Sequence, residues 1–454
     1  MTVDRTRLPA TGPARGFTFP RLTKRRLANG LEVRTLPHHA VPVVSLVLLL
    51  PGGSSADPAD RPGLAALTAD LIDEGSGGLD ALEVADRLAR LGADLDIDVT
   101  VDATVVSVTT LARFLRPAAA LLAEIVTAPT LSDEDFARVR ALRLDRLRQL
   151  RDHPGAVAER AFARLLYQDH PYGHLSAGTE AALEQMTADD VRRFHRMAYR
   201  PAGATLVVAG AAAVEDLDGV CAEVFGGWSS SEPGIDVSAA RVTPPLVPGH
   251  RLAIVPRPGA AQSELRLGHL CASRDTPDYH ALLVLNTILG GQFVSRINLN
   301  LREDKGYTYG ARTGIDLRRG LGPFVLQMSV QTEVTAAAIT ESLREIEDVR
   351  GRRPVTADER DLAIASLTLG YPRGFETAQQ VARSVAQLAL HDLPDTYFED
   401  FVPSVSRVSV DDVMGVAQRY LDPSRLVTLI VGDHDAVTPS LGTLQLGEPV
   451  VLGA

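Results

Sequence analysis

The sequence predicts an α+β protein of two homologous domains, each an antiparallel-rich β-sheet packed with helices. Strand and helix periodicities succeed one another without strict alternation, which argues against a doubly wound parallel sheet. A long segment also recurs: MTADDVRRFHRMAYRPAGATLVVAG near the middle answers VSVDDVMGVAQRYLDPSRLVTLIVGD near the end. Asp190 falls on Asp412, Pro201 on Pro423 and Gly210 on Gly432, a constant offset of 222 residues. Between the copies, Ser229–Gly249 is rich in serine and then proline (Pro244, Pro245, Pro248), and it reads as a linker. The expected layout is an extension at 1–20, a domain at 21–228, the linker at 229–249, a second domain at 250–435 and a tail at 436–454.

The first domain opens with a hairpin over Arg21–Leu36, turning at Asn29-Gly30. Val41–Leu50 is apolar throughout and reads as a buried strand closed by Pro51-Gly52-Gly53. A helix runs from Pro62 to Glu74 and stops at Gly75; another, Asp80–Leu91, stops at Gly92. Ala93–Val99 and Ala103–Thr110 alternate as paired strands. Helical patterns follow over Leu115–Thr127, Asp133–Asp152 and Met186–Tyr199, the last feeding a strand at Ala204–Ala209. The second domain restarts with strands at Arg251–Val255 and Glu264–Leu270, then a helix at Pro277–Leu289 with Thr276 as its cap. GGQFVSRINLNLREDKGYTYGA (290–311) reads as a glycine pair, a short amphipathic helix, and a strand beginning Tyr307-Thr308-Tyr309, partnered by Phe324–Val330.

The chain of 454 residues can bury more than one core, and its 45% hydrophobic, 23% charged composition is that of a globular protein. A formal charge of −11 disfavours a nucleic-acid partner. The first twenty residues carry no secretory pattern, and no run approaches the roughly 18 apolar residues of a membrane span. With Cys221 and Cys271 in no metal or redox motif, a cytoplasmic location with reduced thiols is expected.

Candidate chemistry is sparse. Arg302 and Tyr309 flank the helix stop at Lys305-Gly306; a guanidinium and a phenol presented together suit a peptide carbonyl or carboxylate. Spacing alone favours the plainer reading, Arg302 as a solvated helix residue and Tyr309 as a half-buried strand residue. His170 and His174 have i, i+4 spacing, but Pro171 and Gly173 between them make a loop rather than a helical metal site. His38-His39 sits in a turn and reads as solvated. No nucleophile elbow or phosphate-binding loop occurs, and Gly290-Gly291 reads as a helix cap.

LANGLEVRTLPHHAVPVVSLVLLLPGGSS, GLAALTADLIDEGS, DHPYGHLSAGT and GGQFVSRINLNLREDKGYTYG, in that order and with the duplication, resemble the pitrilysin/insulinase superfamily of zinc peptidases. The likeness runs from about Arg26 to Asp433 and extends to the mitochondrial processing peptidase. It implies that each chain is half of a clamshell. Catalytic members carry HxxEH on the first helix, two histidines holding zinc and the glutamate acting as general base. Alignment through Gly63-Leu64-Ala65 and Gly75-Ser76 puts Ala66, Ala69 and Asp70 there. The distal glutamate position falls near Asp145–Arg146. A methyl group neither binds zinc nor takes a proton, so no metal is expected in this chain.

The resemblance also assigns Arg302 and Tyr309 to the family's arginine–tyrosine pair, which holds the substrate backbone and stabilises the oxyanion; Tyr307, two residues away, is the decoy. Some members divide the work between a zinc-bearing chain and a zinc-free chain carrying the pair. The implied function is the second role: a subunit of a heterodimeric metallopeptidase, with zinc in the partner and peptides or unfolded segments as substrate. The alternative is an inert peptide-binding or scaffold protein that keeps the fold.

Overall fold

A computed structural model describes residues 18–244 and 249–453, so most of the expected N-terminal extension and part of the linker lie outside the described residues. The first half builds one six-stranded sheet from β1 (Thr23–Arg26), β2 (Glu32–Pro37), β3 (Val43–Pro51), β4 (Asp94–Val99), β5 (Ala103–Leu111) and β6 (Thr205–Gly210). The second builds another from β7 (Leu252–Pro256), β8 (Gln262–Ala272), β9 (Ala311–Ile315), β10 (Gly322–Gln331), β11 (Val427–Gly432) and β12 (Val450–Val451). Spatial order is β1-β2-β6-β3-β5-β4 in one and β9-β10-β8-β11-β7-β12 in the other. Matching β2, β6, β3, β5, β4 with β7, β11, β8, β10, β9 superposes the two orders, including the single parallel pair (β2/β6 and β7/β11) among antiparallel neighbours. The sixth strand differs: β1 comes from the opening hairpin, whereas β12 comes from the segment expected as a tail and pairs parallel with β7.

The repeat is visible down to its caps. Thr187 and Asp190 form a capping box at the start of one helix, and Ser409 and Asp412 form the same box 222 residues on. Each satisfies two N–H groups that the first helical turn leaves without partners.

β3, β6 and β11 are apolar along nearly their whole length because both faces of their sheets are covered. One face packs on the home core. The other is covered by a helix from the opposite half. Ala378–Leu390, from the second half, lays Val381, Ala382, Val385 and Leu388 on Leu36, Val47 and Val207 of the first sheet. Pro154–Tyr167, from the first half, lays Ala158, Phe162 and Leu166 on Ala253, Val255, Leu429 and Val431 of the second. Burying each large aliphatic side chain is worth about 1.5–3 kcal/mol, so the exchange binds the halves strongly.

The linker is held as well: Ala240 is buried in that second cluster, and the Val242 carbonyl accepts from His170 Nε2 at 2.9 Å. Among the described residues one helical segment, Tyr279–Asp304, is long and apolar enough by composition to cross a membrane; most of it is buried in the protein.

Candidate functional site

The first helix is shorter than its sequence pattern predicts, Leu64–Ala69, with Asp70–Glu74 continuing as turns. Its start is fixed by Asp57, whose side chain is fully buried. Asp57 accepts from the Gly63 and Ala65 amides at 2.7 Å each and lies 3.1 Å from His174 Nε2. His174 also contacts the Ser54 carbonyl at 2.9 Å, while His170 Nδ1 accepts from the Tyr172 amide at 3.1 Å. Both histidines are therefore occupied as structural hydrogen-bonding groups. Burial lowers the His170 pKa, consistent with a neutral ring.

Ala66, Ala69 and Asp70 line a cleft of about 540 Å³ together with Arg143, Arg146 and Leu147 of the Asp133–Leu150 helix. Asp70 forms an ion pair with Arg143, whose other terminal nitrogen donates to the Ser176 carbonyl at 2.7 Å. Asp145 is turned away, exposed and paired with Arg148 at 2.9 Å. At the expected distal position the helix thus presents Arg146 and Leu147 to the cleft, not a carboxylate. Two methyl groups at the ligand positions, and carboxylates of which Asp70 and Glu74 are already paired with arginines while Arg143 and Arg146 face the same space, do not fit a zinc ion, which takes about four N, O or S donors. No group of three or more potential ligands occurs among the described residues.

The second candidate set lies elsewhere. Arg302 and Tyr309 line one depression of about 470 Å³ with Glu303, Tyr307, Thr308 and Gln262. It shares no lining residue with the alanine cleft. Arg302 lies in a π-helical turn, Leu299–Asp304. Its guanidinium stacks on Phe293, 3.7 Å from the ring centroid. Nη1 is 3.3 Å from Glu303 Oε1 in an ion pair without hydrogen-bond geometry, so that buried nitrogen lacks a hydrogen-bond partner.

The strand expected to begin at Tyr307 begins at Ala311 instead. Thr308 is the reason. Its hydroxyl donates to the Gly310 and Ser329 carbonyls (3.0 and 2.8 Å) and accepts from the Gly310 amide (3.1 Å), diverting the backbone from the ladder. Tyr307 and Tyr309 therefore do not share a strand face: Tyr307 packs against the second core, and Tyr309 is 95% exposed. Asn298 fixes the far side of the turn by exchanging two 2.9 Å hydrogen bonds with the backbone of Ala311. Gly290 contributes by close approach: a Cβ there would lie 2.6 Å from the Thr313 side chain.

Two family models match the chain: "Insulinase (Peptidase family M16)" over residues 34–180 and "Peptidase M16 inactive domain" over residues 185–367. The chain belongs to this family. The degenerate positions Ala66, Ala69 and Asp70 fall in the first match, and Arg302 and Tyr309 in the second. Among its relatives is an uncharacterised zinc protease of Mycobacterium tuberculosis, 26% identical over 428 residues, 94% of this chain and 97% of that protein. A Schizosaccharomyces pombe protein described as "Probable mitochondrial-processing peptidase subunit beta" is 23% identical, covering 60% of this chain and 59% of its own length. Of solved structures, a peptidase M16 inactive domain from Pseudomonas fluorescens superposes with TM-score 0.84 at 26% identity, covering 91% of this chain and 98% of that one. A protease from Helicobacter pylori reaches TM-score 0.86 at 20% identity, covering 91% and 100%, which bears on the fold alone.

Proposed function

We propose that this M16 chain is the zinc-free subunit of a two-chain metallopeptidase, contributing Arg302 and Tyr309 to substrate held at a zinc-bearing partner's site. The observation that carries the reading is the contrast between the two candidate sites. In the alanine cleft Asp70 is paired with Arg143, and Glu74 with Arg138 of the same helix. Around Arg302 and Tyr309, an anchored turn holds an almost fully exposed phenol beside a guanidinium nitrogen without a hydrogen-bond partner. In the proposed role Arg302 donates to a backbone carbonyl of the peptide, and Tyr309 donates to the oxygen that gains charge as the carbonyl is attacked. Zinc, and the base that activates water, belong to the partner, a homologue carrying HxxEH; the pair would meet in the cytoplasm.

The test is peptide cleavage by the purified chain mixed with such a homologue. Tyr309→Phe should lower turnover by about 10²–10³, the usual effect of removing one oxyanion donor, and Arg302→Ala should lower kcat/KM. Turnover unchanged by both substitutions would refute the assigned roles.

A second reading draws on Phe293, Val294 and Leu299, apolar side chains exposed by 64%, 49% and 50% near the pair. Such a surface also suits peptide capture without hydrolysis. Calorimetric titration of an unfolded peptide into the chain alone separates the two: saturable binding that is lost in Phe293→Ser, with no cleavage in any pairing, would support capture.

A further inference from the structure

Where the two halves meet, away from both candidate sites, two adjoining cavities of about 210 and 410 Å³ share Arg319, Leu390 and Asp392 in their linings. The smaller is walled by Arg26, Glu32 and Arg34 of the first half and closed by residues of the second. The larger adds Arg241, Arg274 and Asp275. Five arginines thus face three carboxylates, in a chain whose formal charge is −11. Burial pushes His391, also in the wall, down to about 4, so it adds no charge at neutral pH.

The carboxylates do not use up the cations. Glu32 accepts from Arg34 Nε at 2.6 Å and lies 3.8 Å from Arg26. Asp392 is mostly exposed and no closer than 4.0 Å to Arg241. Asp275 is engaged by the Ser273 hydroxyl. Arg274 stacks on Tyr279, 3.6 Å from the ring centroid, with no acidic partner among the described residues.

Two groups remain incompletely satisfied. Arg34 is only 8% exposed, yet its Nη1 is buried with no hydrogen-bond partner. The Arg319 guanidinium has no ion pair or hydrogen bond among the described residues, and its Nε is buried and unpartnered. Leaving a buried cationic nitrogen unpaired is costly, and a cavity beside it offers a place for the missing acceptor. Arg319 is also held in position, because its backbone N–H donates to Asp102 Oδ2 at 3.0 Å.

From this arrangement we infer that the crevice is a binding site for a small oxyanion, of phosphate or carboxylate type, gripped by Arg319 and Arg34 between the two halves. Guanidinium groups pair with such anions through parallel N–H donors, which a compact halide cannot match. Because the walls come from both halves, occupancy stabilises their association and raises the unfolding temperature. The inference does not rest on the peptidase reading.

The experiment is thermal unfolding of the full chain at pH 7.5 with inorganic phosphate, pyrophosphate or citrate, each compared with sodium chloride at equal ionic strength. A saturable rise with at least one of the three is expected; phosphate-type and carboxylate-type ligands are told apart by which anion saturates first. Arg319→Met preserves the backbone bond to Asp102 and should raise the half-saturating concentration about tenfold or more, the scale of one charge-assisted hydrogen bond. Arg241→Gln, at the rim, serves as a second variant, and Arg373→Gln, exposed and outside both cavities, should behave as the parent. No anion acting beyond the chloride control, or a half-saturation in Arg319→Met equal to the parent's, overturns the inference.

Discussion

Replacing Tyr172 with phenylalanine removes one oxygen atom from the contact between the two halves. That oxygen donates to Asp102 Oδ1 at 2.5 Å and accepts from the Gly320 amide at 3.1 Å. Both partners are buried, and Asp102 keeps only the Arg319 amide on its other oxygen. The ring itself stays, so no cavity opens and the cost is purely polar. An unsatisfied buried donor costs about 1–3 kcal/mol, and a hydrogen bond to a charged group is worth about 1.5–3 kcal/mol. Because the two bonds share one atom they do not add fully, and a loss of about 2–4 kcal/mol is expected.

Urea unfolding measures this loss with two probes. Trp228 is the chain's single tryptophan and packs in the first core, so its fluorescence follows the first half, whereas far-UV circular dichroism follows both. The exchanged helices predict coincident transitions in the parent chain. Tyr309→Phe is the control and should stay within about 0.5 kcal/mol of the parent, as an exposed substitution does. A Tyr172→Phe variant as stable as the Tyr309→Phe control would refute the weight given to the Tyr172 hydroxyl, and well-separated transitions in the parent would refute the mutual support of the halves.

Three further outcomes follow from the same geometry. Burial, with smaller contributions from Glu74 and Asp70, raises the Asp73 pKa to about 6. The folded chain therefore binds the extra proton, stability falls as pH rises from about 4 to about 6, and Asp73→Asn should stabilise by about 1–3 kcal/mol at pH 7.5 but little at pH 4; an equal effect at both pH values in urea titrations would contradict it. Asp57→Ala strips two amides and His174 of their acceptor and should cost about 2 kcal/mol or more by the same measurement, with Asp57→Asn milder. Gly290→Ala forces a methyl group to within 2.6 Å of Thr313 and should destabilise by about 1–3 kcal/mol, whereas Gly415→Ala, with nothing within 4 Å, should be neutral or stabilising.

The sequence was most informative where local chemistry decides the structure. The capping boxes at Thr187/Asp190 and Ser409/Asp412 and the matching strands β6 and β11 are written in short motifs, and the duplication followed from them. Helices Pro154–Tyr167 and Ala378–Leu390 were missed, although Ala158, Phe162 and Leu166 form a readable i, i+4, i+8 stripe behind a first-turn proline. Their destination was less legible: nothing local says that an apolar stripe will cover the opposite half's sheet. The turn at Tyr309 was misread because Tyr-Thr-Tyr alternates like a strand, and only the tertiary position of Ser329 shows where the Thr308 hydroxyl goes. The Asp70–Arg143 pair joins residues 73 apart, beyond the reach of any spacing rule.

That pair changes what the loss of the zinc motif means. Had Ala66, Ala69 and Asp70 simply left a gap, the cleft would hold the carboxylates of Asp70, Glu74 and Asp98 with no counter-charge and could still attract a cation. Instead, Arg143 and Arg146 project from the facing helix, and Arg138 binds Glu74 at 2.6 Å. Positive charge that a metal would bring is supplied by the protein, so restoring histidines alone would place them against guanidinium groups that repel a dication at close range. At Arg302 and Tyr309 an anchored turn presents one exposed phenol and a guanidinium whose ion pair with Glu303 leaves Nη1 without a hydrogen bond. If those two residues act on a peptide during hydrolysis, the metal must come from a second chain, and that requirement makes the mixing experiment decisive.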